Sequence, residues 1–294
     1  MYPGREGAHS WLAVSREPEY PQPESVKSTL QQNRRAALRC RSFATVVSLG
    51  PGDGAEDLQF LKSWGDFAPT PEHGRAKLTY LPVDISRPLL EMAIGRLDSH
   101  AEVPLGVLCD FEADQEFLSD ALERYATRPL LIALLGGTIG NLDVQEERFF
   151  SGIYTLMHPG DALLLDVPLA GSLWTAEREP RLNAACYTSA CRRFLSQGLN
   201  SPARSDSAPI IGDSEAGAFE QAFVISLRRD AETGAEVIAV TNPRNGRVVL
   251  NRRYRWAPLL RWFENHGFRV EFAEAPATAA QDAFSMGVVL LTVS

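Results

Sequence analysis

Hydrophobic positions along the chain alternate between two patterns. Short runs of Val, Leu and Ile predict buried strands, and stretches with an apolar residue every third or fourth position predict amphipathic helices. In the first half of the chain the predicted elements are, in order, strand 45–49, helix 55–64, strand 78–83, helix 88–96, strand 103–109, helix 117–124, strand 130–135, helix 146–157 and strand 161–167. This alternation predicts an α/β fold with a parallel sheet covered by helices on both faces.

The pattern changes after residue 167. A helical pattern over 177–197 and a polar loop over 201–217 lead into three strand-like runs, AFEQAFVISLRR, AEVIAVTNP and GRVVLNRRYRW. An Asn245-Gly246 turn joins the last two, which indicates an inserted antiparallel α+β meander. The α/β pattern then resumes with the helix WAPLLRWFENHG and the strands FRVEFAEA and FSMGVVLLTV. We therefore predict one domain from residues 29–170 and 255–294, with 171–254 inserted into it.

The first 28 residues are rich in Pro, Glu and Ser. This composition predicts an irregular arm, either a disordered tail or a lid, which we group with the insertion. A helical pattern over 26–40 follows it and leads to the first strand.

Charge and cysteine content narrow the possible functions. The net charge of −8, from 29 basic and 37 acidic residues, disfavours nucleic acid and anionic membranes as partners and favours a small molecule. The four cysteines form no CxxC pair and have no histidine spacing typical of zinc, so we predict a reduced cytoplasmic protein without a metal. No signal-peptide pattern follows Met1, and the longest apolar stretch, 130–142, contains three glycines and is too short to span a bilayer. The oligomeric state is left open.

The most informative segment is FATVVSLGPGDG, where a strand enters a glycine-rich turn directly before a helix. Glycines there allow backbone N–H groups and a helix N-terminus to approach a nucleoside-bearing ligand. Asp84 ends another apolar strand 34 residues after Gly50, where a ribose diol needs a carboxylate. Each feature also has a structural alternative. The glycine turn could be only a tight connection from strand to helix, and Asp84 or Ser86 could cap the helix that starts near Pro88.

A dehydrogenase usually has GxGxxG in this turn and continues with parallel strands, whereas this chain has GPGDG and ends with two strands after one helix. That order resembles the class I S-adenosylmethionine-dependent methyltransferases, which have a Rossmann-like sheet. Within the class, SLGPGDG, LTYLPVDIS, CDFEAD, LLGGTIGNLD and HPGDALLLDVPL resemble the histidine-specific methyltransferase family, which makes histidine betaine on the way to ergothioneine. The resemblance covers residues 30–169 and, more loosely, 256–294. GGTIGNLD is its most specific piece.

The resemblance implies S-adenosyl-L-methionine as the cofactor, bound by residues 29–170 and 255–294. Residues 1–28 and 171–254 would then bind the substrate. The implied cofactor residues are Gly50 and Gly52 near its amino-acid part, Asp84 on the ribose hydroxyls, Asp110 and Phe111 around the adenine, and Gly136, Gly137 and Thr138 near the sulfonium. As an alternative, the FEADQEF segment after Asp110 is an acidic helix entrance.

Polar groups that would orient an acceptor amine are Asn141, Asp166 and Tyr20. The resemblance places Asn141 against the substrate, although a turn or helix cap is its alternative. Asp166 ends the fifth strand at the carboxyl edge, where open α/β sheets bind ligands, and its alternative is a loop-capping acid. Tyr187, on an amphipathic helix, is a further candidate for substrate contact that packing also explains. None of the five histidines stands out as a base, since they lie in turns or at helix ends.

The chain departs from the family pattern mainly around the substrate. Glu56 and Asp57 stand where the family usually has a lysine near the donor carboxylate, and Tyr20 is a remnant of an N-terminal YY-x-x-R motif. Asn251 and Arg253 in LNRRY align with the Glu and Ser of the family's imidazole-binding TExS run. These differences predict an acceptor other than free histidine.

Arginines crowd the end of the insertion, at Arg244, Arg247, Arg252, Arg253 and Arg255. Arginine pairs bidentately with carboxylate or phosphate, so one hypothesis is an acceptor with an additional acidic group. The alternative is that these arginines form the solvated face of an antiparallel strand.

These observations predict an N-methyltransferase that acts on the amine of an amino acid or of a small metabolite derived from one. Two alternatives stay open: a non-catalytic S-adenosylmethionine-binding regulatory or partner protein, and an O- or C-methyltransferase of a specialised metabolite. The intact GGTIGN segment favours an enzyme.

Overall fold

The structure is a computed structural model that describes residues 5–16, 43–65, 78–170, 194, 224–229, 233, 235–242, 246–276 and 285–294. Its helices are α1 (Arg5–Ser15), α2 (Ala55–Gly65), α3 (Arg87–Leu97), α4 (Gln115–Tyr125), α5 (Glu146–Leu156) and α6 (Trp256–Asn265), with a 3₁₀ helix at Thr138–Asn141. Its strands are β1 (Thr45–Leu49), β2 (Thr79–Asp84), β3 (Val107–Leu108), β4 (Leu130–Leu134), β5 (Ala162–Pro168), β6 (Val224–Arg229), β7 (Glu236–Asn242), β8 (Gly246–Arg253), β9 (Arg269–Glu274) and β10 (Met286–Thr292).

A seven-stranded sheet with the order β3-β2-β1-β4-β5-β10-β9 organises the fold. β1 pairs in parallel with β2 and β4, so that Thr45 lies opposite both Thr79 and Leu130. β10 runs antiparallel between β5 and β9. The predicted α/β fold is therefore confirmed, and the ends of β1 to β5 meet at one edge, called the carboxyl edge below.

Apolar side chains fill both faces of this sheet. On one face α5 and α6 meet through aromatic rings, with the ring centroids of Phe150 and Phe263 5.0 Å apart. On the other face Phe60 and Leu61 of α2 pack with Leu97 of α3. Burial on both faces explains why β1, β4 and β5 are nearly continuous apolar runs rather than alternating ones.

The prediction of an irregular arm over residues 1–28 is wrong for residues 5–15, which form α1. Ala8 and Leu12 lie one helical turn apart and pack on Leu89 of α3. This contact stabilises a short helix that composition alone does not favour, because burial of an apolar stripe outweighs weak local preference.

The predicted strand over 103–109 is also too long, since β3 contains only Val107 and Leu108. These two residues pair with Val83 and Asp84 at the end of β2. Pro104 precedes them and has no N–H to donate to a ladder, which shortens an edge strand.

The predicted antiparallel meander is confirmed as a second sheet with the order β6-β7-β8. It reaches the carboxyl edge of the main sheet, because Tyr254 after β8 forms a bridge with Leu169 after β5. The helices predicted over 26–40 and 177–197 lie outside the described residues, apart from Phe194, which is buried. The division into two domains stays a prediction.

Within the described part of the chain, no helix combines the length and the apolar character needed to cross a membrane.

Candidate active site

The glycine turn after β1 lies at the centre of the carboxyl edge. Gly50 and Gly52 have φ of +68° and +57°, a region that glycine adopts without steric cost. A Cβ on Gly50 would lie 3.4 Å from Cγ2 of Thr138 and 3.6 Å from Cε1 of Phe111. The turns after β1, β3 and β4 therefore converge around Gly50, as their predicted shared role requires.

Asp84 ends β2 beside this turn and is buried. Its Oδ1 accepts the Ser86 N–H at 2.7 Å. Burial raises the pKa of Asp84 to about 6, and backbone N–H groups of Ser86 and Gly52 partly offset that effect. The N-cap position of α3 belongs to Ser86, whose side chain makes no capping bond. Asp84 is thus a buried carboxylate whose ionised form gains from each further hydrogen-bond donor, such as a ribose hydroxyl.

Asp110 and Phe111 follow β3 on the far side of β2. Oδ1 of Asp110 accepts the N–H groups of Glu112 at 3.1 Å and Ala113 at 3.3 Å. Phe111 is half-buried and meets Phe149 edge to face, with ring centroids 6.0 Å apart. The helix-entrance role in this segment belongs to Asp114, which caps α4. Asp110 and Phe111 remain at the edge, where adenine is predicted.

Asp166 on β5 fixes the turn after β4 by hydrogen bonds. Its two carboxylate oxygens accept the N–H groups of Gly136 at 2.9 Å and Gly137 at 2.7 Å. Gly136 and Gly137 have φ of +74° and +68°, so the turn needs glycine at both positions. Burial raises the pKa of Asp166 to about 7. Asp166 fixes the backbone of this turn, and both of its oxygens are engaged by amides rather than facing an acceptor.

The 3₁₀ helix Thr138–Asn141 follows that turn and is held from the second sheet. The Tyr254 hydroxyl lies 3.2 Å from the carbonyl oxygen of Ile139 in this helix and 2.8 Å from Oε1 of Glu146, and Arg252 approaches that carboxylate oxygen with Nε at 3.2 Å. Arg252 also donates to the carbonyl oxygens of Leu142 and Val144. We call Glu146, Arg252 and Tyr254 the buried clamp. It joins the segment after β4 to the end of β8.

Two amides meet where the clamp joins the sheets. Nδ2 of Asn251 approaches Oδ1 of Asn141 at 3.5 Å, the outer limit of a hydrogen bond, and Asn141 is exposed. Arg253 lies two residues further along β8, on the same face as Asn251, and is only 3% exposed. The structure thus brings together three predicted substrate residues, Asn141, Asn251 and Arg253. The other two, Tyr20 and Tyr187, lie outside the described residues.

The solvated-face interpretation of the arginines fails for two of them. Arg252 and Arg253 are 6% and 3% exposed, because the end of β8 is covered by the main sheet and the 3₁₀ helix. Arg255 is exposed, while the side chains of Arg244 and Arg247 lie outside what the structure describes.

Three carboxyl groups crowd the space between the turns after β1 and β4. Burial raises the pKa of Asp57 to about 6 and, together with the charges of Asp166, Asp57 and Asp53, raises that of Glu56 to about 8. A Cβ on Gly136 would lie 3.9 Å from Cγ of Glu56. Glu56 therefore lies beside the turn after β4, with other carboxyl groups as its charged neighbours.

Sequence reasoning missed other residues that shape the site. Trp11 of α1 covers the glycine turn, since a Cβ on Gly52 would lie 3.0 Å from its ring. Glu112 holds the segment after the 3₁₀ helix by accepting the N–H groups of Asp143 at 2.7 Å and Val144 at 3.0 Å. The only sequence pattern that points to Trp11 is its position among the apolar residues of a helix, which is weak evidence for a site residue. No local sequence pattern points to Glu112.

The fold and this edge define a class I S-adenosylmethionine-dependent methyltransferase. The described residues fit that cofactor: glycines open the turn after β1, a buried carboxylate ends β2, and an aromatic ring flanks the turn after β3. The class needs no side-chain chemistry for the methyl donor itself, because S-adenosylmethionine supplies an electrophilic methyl group when bound.

Comparison with known proteins agrees. Residues 3–195 match the family model described as histidine-specific methyltransferase, SAM-dependent. Among solved structures, an S-adenosylmethionine-dependent methyltransferase from Clostridium acetobutylicum is 10% identical, with 97% of this chain and 98% of that one covered at a TM-score of 0.50. The CcbJ methyltransferase from Streptomyces caelestis is 14% identical, with 98% of both chains covered at a TM-score of 0.50. No curated protein matches the chain.

The chain therefore belongs to the histidine-specific, S-adenosylmethionine-dependent methyltransferase family. It is a methyltransferase that uses S-adenosylmethionine, and the two solved structures share its fold.

Proposed function

We propose that this enzyme methylates the amine of an amino acid or of a small metabolite derived from one, and that free histidine is not its substrate. The observation that carries the proposal is the contact between Asn251 and Asn141, the last residue of the 3₁₀ helix that follows the turn after β4. Two amides offer hydrogen-bond acceptors and donors to an amino group and its neighbouring polar atoms without supplying a strong base.

An α-amine needs no strong base. With a pKa of about 8, its neutral form costs only about 1 kcal/mol at pH 7, whereas a lysine-like amine near 10.4 costs about 4.6 kcal/mol. Of the described histidines, His100 and His158 precede strands at the opposite edge, His266 follows α6, and His9 is exposed on α1. Orientation of a neutral amine behind the methyl group would lower the activation barrier by about 7–11 kcal/mol.

The second sheet supports a substrate role for residues 171–254. Its strand β8 places Asn251 and Arg253 beside the 3₁₀ helix, so an acceptor held there would contact both sheets. Asn251 cannot provide the negative charge that a glutamate offers to imidazole, and Arg253 would repel imidazolium. A neutral or acidic group on the acceptor suits this wall better. Net charge and cysteine content further favour a small-molecule acceptor in the cytoplasm.

The test is transfer from methyl-labelled S-adenosylmethionine to a pooled library of amino acids, amines, alcohols and phenols, with products identified by mass spectrometry. We expect label on nitrogen of an amino-acid-like compound and no betaine from histidine. Label on oxygen or carbon alone would contradict the proposal, and so would label on histidine as the preferred acceptor.

A further inference from the structure

We propose that Glu56 binds the α-ammonium group of S-adenosylmethionine and loses its own proton when the donor binds. The inference concerns donor binding alone. It does not depend on which acceptor the enzyme uses.

The order of the strands gives the direction of the donor along the edge. Asp84 ends β2 and Asp110 with Phe111 follow β3, so the nucleoside end lies on that side of the glycine turn. The amino-acid end must then extend over β1 toward β4, which pairs with β1 on the opposite side.

Glu56 lies at that other end. It belongs to the first turn of α2, directly after the glycine turn, and its Cγ lies 3.9 Å from where a Cβ of Gly136 would be. Gly136 opens the turn after β4, so the Glu56 side chain fills the space between the two turns that flank the donor's amino-acid end.

The charges around Glu56 favour a cation. The carboxyl groups that act on it are Asp166 from β5, Asp57 from α2 and Asp53 from the glycine turn. Of these, Asp53 is paired with Arg96, whose Nη2 lies 2.8 Å from Oδ2. The ammonium group of the donor would reduce the repulsion between Asp166 and Asp57, whereas the donor's own carboxylate would increase the negative charge there.

Of the carboxyl groups of Glu56, Asp57 and Asp166, that of Glu56 suits the ligand best. Asp166 uses both oxygens on the N–H groups of Gly136 and Gly137. Asp57 is 1% exposed and lies under α2 against the hydroxyl groups of Ser48 and Tyr80. Glu56 is half-buried, and its Cγ and Cδ lie 3.9 and 4.0 Å from the position of a Cβ on Gly136.

The release of a proton from Glu56 follows from the same burial and neighbouring charges. Burial and the neighbouring carboxylates raise the pKa of Glu56 to about 8, so the side chain is mostly protonated at pH 7 without a ligand. A bound ammonium group favours the ionised form, and the proton passes to the buffer. Asp84, with its pKa raised to about 6, is already mostly ionised at pH 7 and adds little, whereas Asp166, with its pKa raised to about 7, is about half protonated and adds at most about half a proton.

Isothermal titration calorimetry with S-adenosylhomocysteine tests this, because the product keeps the ammonium group. Titrations at pH 7 in buffers of different ionisation enthalpy should show release of about one proton per ligand. The control ligand, 5′-methylthioadenosine, keeps the nucleoside but lacks the amino-acid end and should release almost none. This comparison uses the unmodified protein, so it decides the question even if a variant fails to fold.

Glu56→Gln should abolish most of the proton release and weaken S-adenosylhomocysteine about tenfold, as expected for loss of one charged hydrogen bond. Glu147→Gln is the matched control, since Glu147 is an exposed glutamate in the first turn of α5. It should behave as the wild type. Equal proton release by both ligands, or undiminished release in Glu56→Gln, would overturn the inference and would leave the proposed acceptor chemistry untouched.

Discussion

The donor side and the acceptor side of the site are built in different ways. On the donor side, the ends of β1, β2 and β4 present glycine backbone and buried carboxylates that a single sheet positions. On the proposed acceptor side, Asn141 comes from the 3₁₀ helix after β4 and Asn251 from β8 of the second sheet, and the buried clamp links the end of β8 to α5 and to the segment after the 3₁₀ helix. We therefore expect donor recognition to be local to the strand ends and acceptor recognition to depend on how the second sheet is attached.

This comparison predicts that a donor-side change acts on donor affinity most strongly. Asp84→Ala removes a buried carboxylate beside the glycine turn, and it should weaken S-adenosylhomocysteine about 100-fold, because hydrogen bonds to charged groups contribute about 1.5–3 kcal/mol each. Calorimetry measures the effect, and Asp98→Ala, at the end of α3, is the control. Unchanged affinity would place the ribose elsewhere.

A change at the junction should instead act on both sheets at once. A Cβ on Gly140 would lie 2.7 Å from the carbonyl oxygen of Arg252 and 2.9 Å from Cγ of Pro168. Gly140→Ala should lower the free energy of unfolding by about 2 kcal/mol through overpacking and should also slow methyl transfer. Gly95→Ala is the matched control, since nothing lies within 4 Å of its Cβ position. Equal stability of the two variants in chemical denaturation would show that the 3₁₀ helix is not wedged between the sheets.

The carboxyl groups of the donor side make stability depend on pH. The pKa rises from 3.8 to about 6 in Asp57 and Asp84 and to about 7 in Asp166, and from 4.5 to about 8 in Glu56, in each case mainly through burial. A carboxyl with a raised pKa binds more protons folded than unfolded, so the stability it contributes at low pH is lost as pH rises.

The ligand-free protein should therefore lose several kcal/mol of unfolding free energy between pH 5 and 8.5, since each extra proton held by the folded state changes this free energy by about 1.4 kcal/mol per pH unit. Denaturant titrations across this range measure it, and Glu56→Gln should flatten the upper part of the curve. A stability that rises with pH over this range would show that these groups are ionised at no cost.

The smallest effect is expected from the clamp. Tyr254→Phe removes the hydrogen bond to Glu146 and should cost about 1 kcal/mol of stability. Because the hydroxyl holds the 3₁₀ helix rather than the donor, the variant should raise the KM for the acceptor while the S-adenosylhomocysteine affinity stays constant. Tyr125→Phe, exposed at the end of α4, is the control. A loss of donor affinity in Tyr254→Phe would contradict the division between the two sides.

The same contrast explains what the sequence could predict. Gly50, Asp84 and Gly136 each follow an apolar strand within a few residues, so local pattern places them at one edge once a parallel sheet is inferred. The fold class and the cofactor were accordingly accessible from sequence.

The clamp was not accessible, because its contacts join residues far apart in the chain: Tyr254 follows Glu146 by 108 positions. No local pattern distinguishes a buried Arg252 from a solvated one. The α1 helix was missed for a related reason, since Ala8 and Leu12 become an apolar stripe only against Leu89.

The central claim is that the 3₁₀ helix Thr138–Asn141 is where the donor edge meets the acceptor wall. The most direct test is Asn141→Ala, with both the S-adenosylhomocysteine dissociation constant and kcat/KM for the identified acceptor measured. Asn265→Ala, exposed at the end of α6, serves as control. We predict that kcat/KM falls about 30-fold, the loss of about 2 kcal/mol of acceptor contact, while the dissociation constant is unchanged. Unchanged transfer, or a parallel loss of donor affinity, would contradict the account.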